Sequence, residues 1–468
     1  MARIAILGAG VCGLAAGLLL ARDGHDVTVL ERDPEPAPES AQLAWDSWER
    51  SGVAQFRQAH YLQPAGCAIL EEQLPDVFAA LCAAGGLRFD VLDIMPPTIA
   101  DRSARPGDER FATVTARRPV LEQALAGVAA AQPGLELRRG VAVAGLTTSG
   151  GEPVPHVDGV RTQDGEEIAA DLVVDAMGRG SRLPRWVAEL AGAPIFEECE
   201  DERFVYYTRF YRAGAGGMPS FRAAPLSPVG TFTLLVLPSD NDTWSVTLFA
   251  AASDRPLKRM RDRERWEAVV AACPAHAQWL DGEPITDVLP MGGVVDRYRR
   301  LAVDGRPLVT GVALLGDACA CTNPSVGRGI TLGLLHASEL RDAARELADP
   351  AAFAADWDER TELRLVPWYR DTVAEDRARL LEIDALRAGE PPPRPGGPAG
   401  EILAALPAAV THDADLFRAF IDTRSCYATL REVLARPGVA ARILEVGAHH
   451  EATPAPGPDR EQLLALLA

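Results

Sequence analysis

The run Gly8-Ala9-Gly10-Val11-Cys12-Gly13 constrains this chain more than any other feature. It follows a short apolar stretch, Arg3 to Leu7, that reads as a strand buried on both faces. It opens an Ala- and Leu-rich helix, Val11 to Arg22, and a second buried strand, Asp26 to Leu30, then ends at Glu31. The acid stands 23 residues after Gly8, the spacing of a dinucleotide-binding βαβ unit. Gly8 permits the tight turn, Gly10 lets a pyrophosphate approach the backbone, and Gly13 lets helix and strand pack closely. The helix N-terminus then faces negative charge, and Glu31, with Arg32 beside it, is placed at the ribose. The motif does not tell one dinucleotide from another.

Two later segments share the pattern of a buried strand running into a glycine-rich loop. In LVVDAMGRGSRLPRW (172–186) the strand ends at Asp175, and Gly178, Arg179 and Gly180 follow. Alone, this is an ordinary strand exit. In LLGDACACTNPSVGRGITLG (314–333) the strand ends at Gly316-Asp317, a rigid Asn323-Pro324 follows, and Gly327-Arg328-Gly329 opens a helix. Asp317 is suited to accept hydrogen bonds from a polyol. The N–H groups of 327–330 form a positive helix end, fit for an anion or a carbonyl gaining charge.

Between these motifs the pattern changes twice. Residues 65–84 and 117–131 read as helical, and 135–146 as weakly alternating strand. Segments 203–211, 231–237 and 243–250 are β-rich, and Ser239-Asp240-Asn241-Asp242 is a strong hairpin turn. Residues 307–315 return to a buried strand, followed by a helix from about 330 to 347. Beyond 350 the chain reads as helical, with breaks at GEPPPRPGGPAG (389–400) and TPAPGP (453–458). The expected organisation is an α/β nucleotide-binding domain in two pieces, 1–200 and 301–348. An inserted antiparallel sheet occupies 201–300, and a helical region 349–468.

Composition removes several function classes. Of 468 residues, 47 are basic and 66 acidic, a formal charge of −19 that disfavours nucleic acid and anionic lipid surfaces. Eight cysteines lack metal-ligand spacing; Cys319 and Cys321 form a C-x-C pair that no second pair or neighbouring His completes, so no metal is expected. The apolar start is too short and glycine-rich for a membrane span and lacks a leader's charge and cleavage pattern, so a reduced, cytoplasmic setting and no stable membrane insertion are expected. Only one basic residue is a lysine, Lys258, in the charged stretch PLKRMRDRERW.

The three motifs, in this order and at these separations, resemble those of the FAD-dependent monooxygenases of the para-hydroxybenzoate hydroxylase superfamily, over about residues 1–345. The resemblance implies a GR2-type Rossmann-like FAD-binding domain, with Gly8, Gly10, Gly13, Glu31 and Arg32 at the ADP half of FAD. It implies Asp175, with Gly178 and Arg179, near the pyrophosphate and the nicotinamide donor, although Ala176 stands where that family has Gly. It implies Asp317 at the ribityl chain, Pro324 beside the reacting edge of the isoalloxazine, and Gly327 to Gly329 at its pyrimidine end. Arg328 replaces the family's usual Gln, and is expected to strengthen charge stabilisation there. TARRPVLEQAL (115–125) resembles the family's arginine-bearing helix start, with Arg118 the better match and Arg117 its rival. GVAQFRQAHYLQPAG (52–66) is similar to a segment of bacterial polyether-type epoxidases, which makes Arg57 a cofactor candidate and His60 an active-site candidate; a histidine with no role beyond packing is the alternative.

The activity so implied is insertion of one oxygen atom from O₂ into a hydrophobic small molecule, by epoxidation or hydroxylation through a flavin C4a-hydroperoxide, in secondary metabolism. NAD(P)H would donate the electrons, directly or through a flavin reductase. The cofactor carries the hard chemistry, so no nucleophile motif is expected. Tyr206, Tyr207, Phe210, Phe232 and Trp244 are candidates for an aromatic pocket wall, although alternation of this kind is what any half-buried sheet shows. A reductase or dehydrogenase without oxygen transfer fits the same fingerprints, as does a non-catalytic flavin scaffold. A tryptophan-type halogenase does not: it needs an early lysine, none precedes Lys258, and WDSW (45–48) is only a fragment of its signature.

Overall fold

The structure, a computed structural model, describes residues 1–150, 154–200, 203–393 and 396–468. The expected boundary at 200/201 and the middle of the 389–400 break fall partly outside these.

The elements that build the site are, in chain order, β1 (Arg3–Leu7), α1 (Val11–Arg22), β2 (Asp26–Glu31), α2 (Pro64–Gln73), α3 (Arg118–Ala131), β3 (Leu135–Arg139), β4 (Leu172–Asp175), β5 (Phe204–Arg212), β6 (Phe232–Pro238), β7 (Thr243–Ala251), β8 (Val312–Leu314), α4 (Gly329–Ala343), α5 (Pro350–Arg364), α6 (Val366–Ala388) and α7 (Ala414–Arg424). A five-stranded parallel sheet runs in the order β8-β4-β1-β2-β3. Its strands are apolar at successive positions because both faces are covered. Ile4 and Ile6 point into a cluster with α1 and α3, whereas Ala5 and Leu7 point into one with Trp368 and Tyr369 of α6. The C-terminal ends of β1, β4 and β8 carry the three glycine-rich turns, so the fold gathers all three motifs at one edge.

Close approach explains two glycines of this edge. A Cβ on Gly13 would lie 2.0 Å from the Gly8 carbonyl oxygen, and one on Gly333 of α4 would lie 2.1 Å from Cys12 Sγ of α1. Without a side chain there, α1 and α4 can cross in contact.

The inserted sheet is antiparallel and contains β5, β6 and β7, with β7 central between the other two. Its β6–β7 hairpin turns at Asn241 and Asp242, both with φ above +45°, the conformation that suits short polar side chains. Alternation divides the sheet. Tyr207, Tyr211, Phe232, Leu234, Val236, Trp244, Val246 and Leu248 pack with Trp266 and Trp279 on the far face. Tyr206, Phe249 and Met291 lie on the face toward the nucleotide-binding domain.

Several expected boundaries shift. The helical stretch 65–84 divides at Leu74 into α2 and Pro75–Ala83, because Pro75 lacks the N–H that would continue it. The strand expected over 307–315 is only β8, since Gly311 takes a left-handed φ of 74° and Arg306–Pro307 joins a separate two-residue hairpin. Part of the 389–400 break is helical: α6 ends at left-handed Gly389, and a new helix starts at Gly397, with Pro398 in its tolerant first turn. The final helix, Arg460–Leu466, packs Leu463 into the far-face cluster of the inserted sheet. No helix among the described residues is long and apolar enough to cross a membrane.

Candidate functional site

A cavity of about 350 Å³ lies where the three glycine-rich turns meet the inserted sheet. Gly8 and Gly10 bound one end, with Glu31 and Arg32; Asp317, Pro324, Gly327 and Gly329 bound another. His60 and Arg118 form part of the wall between. A larger groove, of about 980 Å³, opens on the outer side of α3, but none of the glycine turns reaches it.

The turns leave room for a ligand. Gly8 has φ +105°, and a Cβ there would meet the Ala176 carbonyl oxygen at 2.7 Å. At Gly10, Gly178 and Gly180, by contrast, an added Cβ would meet nothing within 4 Å. The Glu31 carboxylate accepts from Ala9 N at 2.9 Å, from Asp33 N at 3.0 Å and from Arg50 at 2.6 Å. A carboxylate offers about four acceptor positions, so one remains for a ribose hydroxyl. The Asp317 carboxyl group makes no hydrogen bond among the described residues, and burial pushes it up, opposed by Arg118 and Arg179. An unpartnered carboxyl group against the open backbone of Gly329 suits a polyol ligand. The residues present therefore fit the ADP, pyrophosphate and ribityl parts of FAD.

Of the two rival arginines, the structure separates the roles. Arg117 is buried and paired with Asp240 of the hairpin turn, at 2.6 Å, with its guanidinium 4.5 Å above the Trp45 ring. Arg118 reaches the cavity, where its Nε donates to Glu122 at 2.7 Å and its Nη1 to His60 Nε2 at 3.3 Å. His60 Nδ1 donates to the Gln58 carbonyl at 2.9 Å, so the ring is a neutral acceptor toward Arg118. Burial, and then the Arg118 charge, push the His60 pKa down to about 3.

Four expected site residues do not face the cavity. Gly13 serves helix–strand packing. Arg57 spends its guanidinium on the Trp45 and Trp48 carbonyls and so orders that segment rather than touching the cofactor space. Asp175 is fully buried, accepting from Met177 N and Ser181 Oγ, and burial raises its pKa to about 6; it shapes the loop rather than lining the cavity. Arg328 turns the opposite way from its two glycine neighbours. Its guanidinium donates to Thr372, Glu375 and the Thr423 carbonyl and lies 5.4 Å over Trp368. It clamps α4 to α6 and α7, so this side chain does not reach the cavity for the expected charge stabilisation.

The aromatic wall is also corrected. Tyr207, Phe232 and Trp244 are on the far face of the sheet, Phe210 packs on Trp45 at 4.8 Å, and Tyr206 donates to Asn323 Oδ1. The sheet instead presents aliphatic Leu235 and Leu237, with Met291 and Val294, to the cavity. The period of β6 carried that signal, because Leu235 and Leu237 fall on the face opposite Phe232, Leu234 and Val236. Arg50 was not foreseen. It is buried and pairs with Glu31 and Asp33 around the end of β2 and with Glu122 of α3, far away in sequence.

Residues 1–351 match the family described as FAD binding domain. The chain is 28% identical to Protein Rv3254 of Mycobacterium tuberculosis, over 94% of this chain and 92% of that one. Its fold is similar to that of PqsL, a probable FAD-dependent monooxygenase from Pseudomonas aeruginosa, with TM-score 0.61 and 18% identity over 82% of this chain and 96% of that one. It is similar also to OxyS anhydrotetracycline hydroxylase from Streptomyces rimosus, with TM-score 0.55 and 21% identity over 91% and 76%.

Proposed function

The chain belongs to the FAD binding domain family and has the fold of the FAD-dependent monooxygenases; from that premise we propose that it transfers one oxygen atom from O₂ to a hydrophobic small molecule, by epoxidation or hydroxylation, in secondary metabolism. The observation that carries the reading is the apolar wall of Leu235, Leu237, Met291 and Val294 in the same cavity as Pro324 and Gly327. FAD, when bound and reduced, supplies the activation of O₂. NAD(P)H supplies the electrons, directly or through a reductase.

The chain's own residues bind, orient and exclude water. Gly8 and Gly10 bring backbone to the pyrophosphate at the N-terminus of α1. Asp317 would accept from the ribityl hydroxyls, and Glu31 from the ribose. The N–H groups at the start of α4 would hold the pyrimidine end of a bound flavin, where they would favour negative charge. Arg118 lines the same cavity, held by Glu122 and by the neutral ring of His60. The aliphatic side chains seat an apolar substrate and keep water from the reacting edge.

A single turnover tests this. The holoenzyme is reduced anaerobically by NADH, NADPH or dithionite in turn, and O₂ is admitted with a panel of alkenes and phenols. Oxygenated product from an apolar member supports the reading. Reoxidation with the substrate only reduced or desaturated supports the dehydrogenase alternative and overturns oxygen transfer.

A further inference from the structure

The turn that presents Asp317 to the cavity is held from behind by a histidine. Gly316, just past β8, takes a left-handed φ of +56°, and a Cβ there would lie 2.9 Å from Cys12 Sγ. The chain leaves the sheet at this point. Leu315 N still donates to the Asp175 carbonyl of β4 at 2.9 Å, whereas Gly316 N donates to Nδ1 of His336, on α4, at 3.2 Å. On its other side His336 Nε2 lies 3.1 Å from Thr361 Oγ1 of α5. The ring stacks on Trp357 of the same helix, with centroids 4.4 Å apart and planes at 13°. His336, Trp357 and Thr361 are all buried.

These bonds fix the state of the ring. A backbone N–H only donates, so Nδ1 carries its lone pair toward Gly316 and the proton sits on Nε2, which donates to Thr361. An imidazolium would set a second N–H against that of Gly316. Burial, with no charged group among the described residues adding to it, agrees by pushing the His336 pKa down to about 3. A ring that served packing alone would need only its faces. Here the lone pair satisfies a buried N–H that has left the strand ladder. The helix that supplies the ring also begins beside the carboxyl group: a Cβ on Gly329 would lie 3.9 Å from Asp317 Oδ1, and His336 stands about two turns further along α4.

We propose that His336 is a positioning residue for the cofactor: as the neutral Nε2–H tautomer it holds the Gly316 turn, and with it the Asp317 carboxyl group, in register with the start of α4 before FAD arrives. The inference rests on the reading that FAD occupies the cavity with its ribityl chain at Asp317. Trp357 and Thr361, which orient the ring, lie beyond the segment 1–351 that carries the family match, so the helical region takes part in setting the site. Without the imidazole acceptor the turn relaxes to satisfy the Gly316 N–H elsewhere. FAD then meets a competent turn in only a fraction of molecules, and its apparent affinity drops by that fraction.

The test sets FAD affinity of the full-length apoprotein, read by flavin fluorescence, against thermal stability for wild type, His336→Leu, His336→Asn and Trp357→Leu. His336→Leu keeps bulk and loses the acceptor, so its affinity is expected to fall on the order of tenfold. His336→Asn places Oδ1 where Nδ1 stood; it is expected to melt lower, having lost the Trp357 stack and the Thr361 bond, yet to bind FAD within about twofold of wild type. Trp357→Leu loses the stack and keeps the Gly316 bond, and is expected to melt lower with affinity likewise within about twofold. A merely structural histidine would move stability and affinity together in all three. His336→Leu affinity within about twofold of wild type, or His336→Asn or Trp357→Leu as weak as His336→Leu, overturns the inference while leaving FAD binding intact. If His336→Leu does not fold, nitrogen-15 NMR of the histidine-labelled wild-type holoenzyme decides the point. The signal lost in His336→Asn is expected to be that of a ring protonated only at Nε2, and a ring protonated at Nδ1 or at both nitrogens overturns the inference. No FAD binding by wild type overturns the cofactor reading itself, and the inference with it.

Discussion

Two buried charge clusters flank the cavity, and they are built differently. At the nucleotide end, Arg50 pairs with Glu31, Asp33 and Glu122, while Arg118 takes the second oxygen of Glu122. Arg139, whose two Nη atoms have no hydrogen-bond partner among the described residues, adds a third guanidinium 5.9 Å from the Trp48 ring. Cations match carboxylates there. At the other end, behind the Pro324 turn, Arg203 is, among the described residues, the one guanidinium bridged to Asp296, and Asp376 is bridged to none. A balanced cluster is scaffold, each charge satisfied by a partner; a cluster short of cations holds a proton instead. The nucleotide end should therefore be intolerant of truncation, and the turn end sensitive to pH.

The largest expected effect breaks the balanced cluster. Arg50→Ala leaves Glu31, Asp33 and Glu122 without their shared partner and should destabilise the fold by about 3–5 kcal/mol in urea unfolding. A loss under about 1 kcal/mol would mean the cluster is not scaffold. Next comes Asp317→Ala, expected to give a folded but colourless protein; retention of stoichiometric flavin would refute its role. Arg118→Ala should weaken FAD binding about tenfold, the cost of losing one charge-assisted bond, whereas Arg57→Ala should leave affinity within about twofold. Equal effects would erase the distinction drawn between them.

His60 and Asp376 give pH effects of opposite sign. The folded His60 pKa is depressed to about 3 from 6.5, so the unfolded chain binds a proton between those values and the folded one does not. Stability from this group is thus present above about pH 6.5 and declines as pH falls toward 3. The folded Asp376 pKa is raised to about 7 from 3.8, so stability from this group declines as pH rises through that interval. Thermal unfolding of His60→Gln should show a shallower acid limb, and that of Asp376→Asn a shallower rise-side decline. Matching slopes with wild type would contradict either assignment. The smallest effect is expected at exposed Lys258: Lys258→Ala should change stability by less than about 0.5 kcal/mol and leave the product unchanged.

The contrast between the two ends also marks what could be read from the sequence. The glycine turns, Glu31 and Asp317 were legible because backbone geometry and strand ends demand particular residues at fixed spacing. Arg118 was legible as one of two adjacent arginines, and only packing against Asp240 assigned its neighbour elsewhere. Arg328, Arg57 and Asp175 sit in the expected motifs, yet their side chains turn away, since a motif fixes backbone path before it fixes side-chain direction. The Arg50 and Asp376 clusters were not legible. Each assembles residues from distant segments, and a lone arginine or aspartate in a helix or loop carries no local sign of its partners. The cavity wall was legible in its period but misread by residue type, aromatic where the sheet supplies aliphatic.

The most direct test of oxygen transfer is the mass of the product formed by the reduced holoenzyme under isotopically labelled O₂. The account predicts one labelled oxygen atom in an apolar product. A product that carries no label, or label found only in hydrogen peroxide and water, would contradict it.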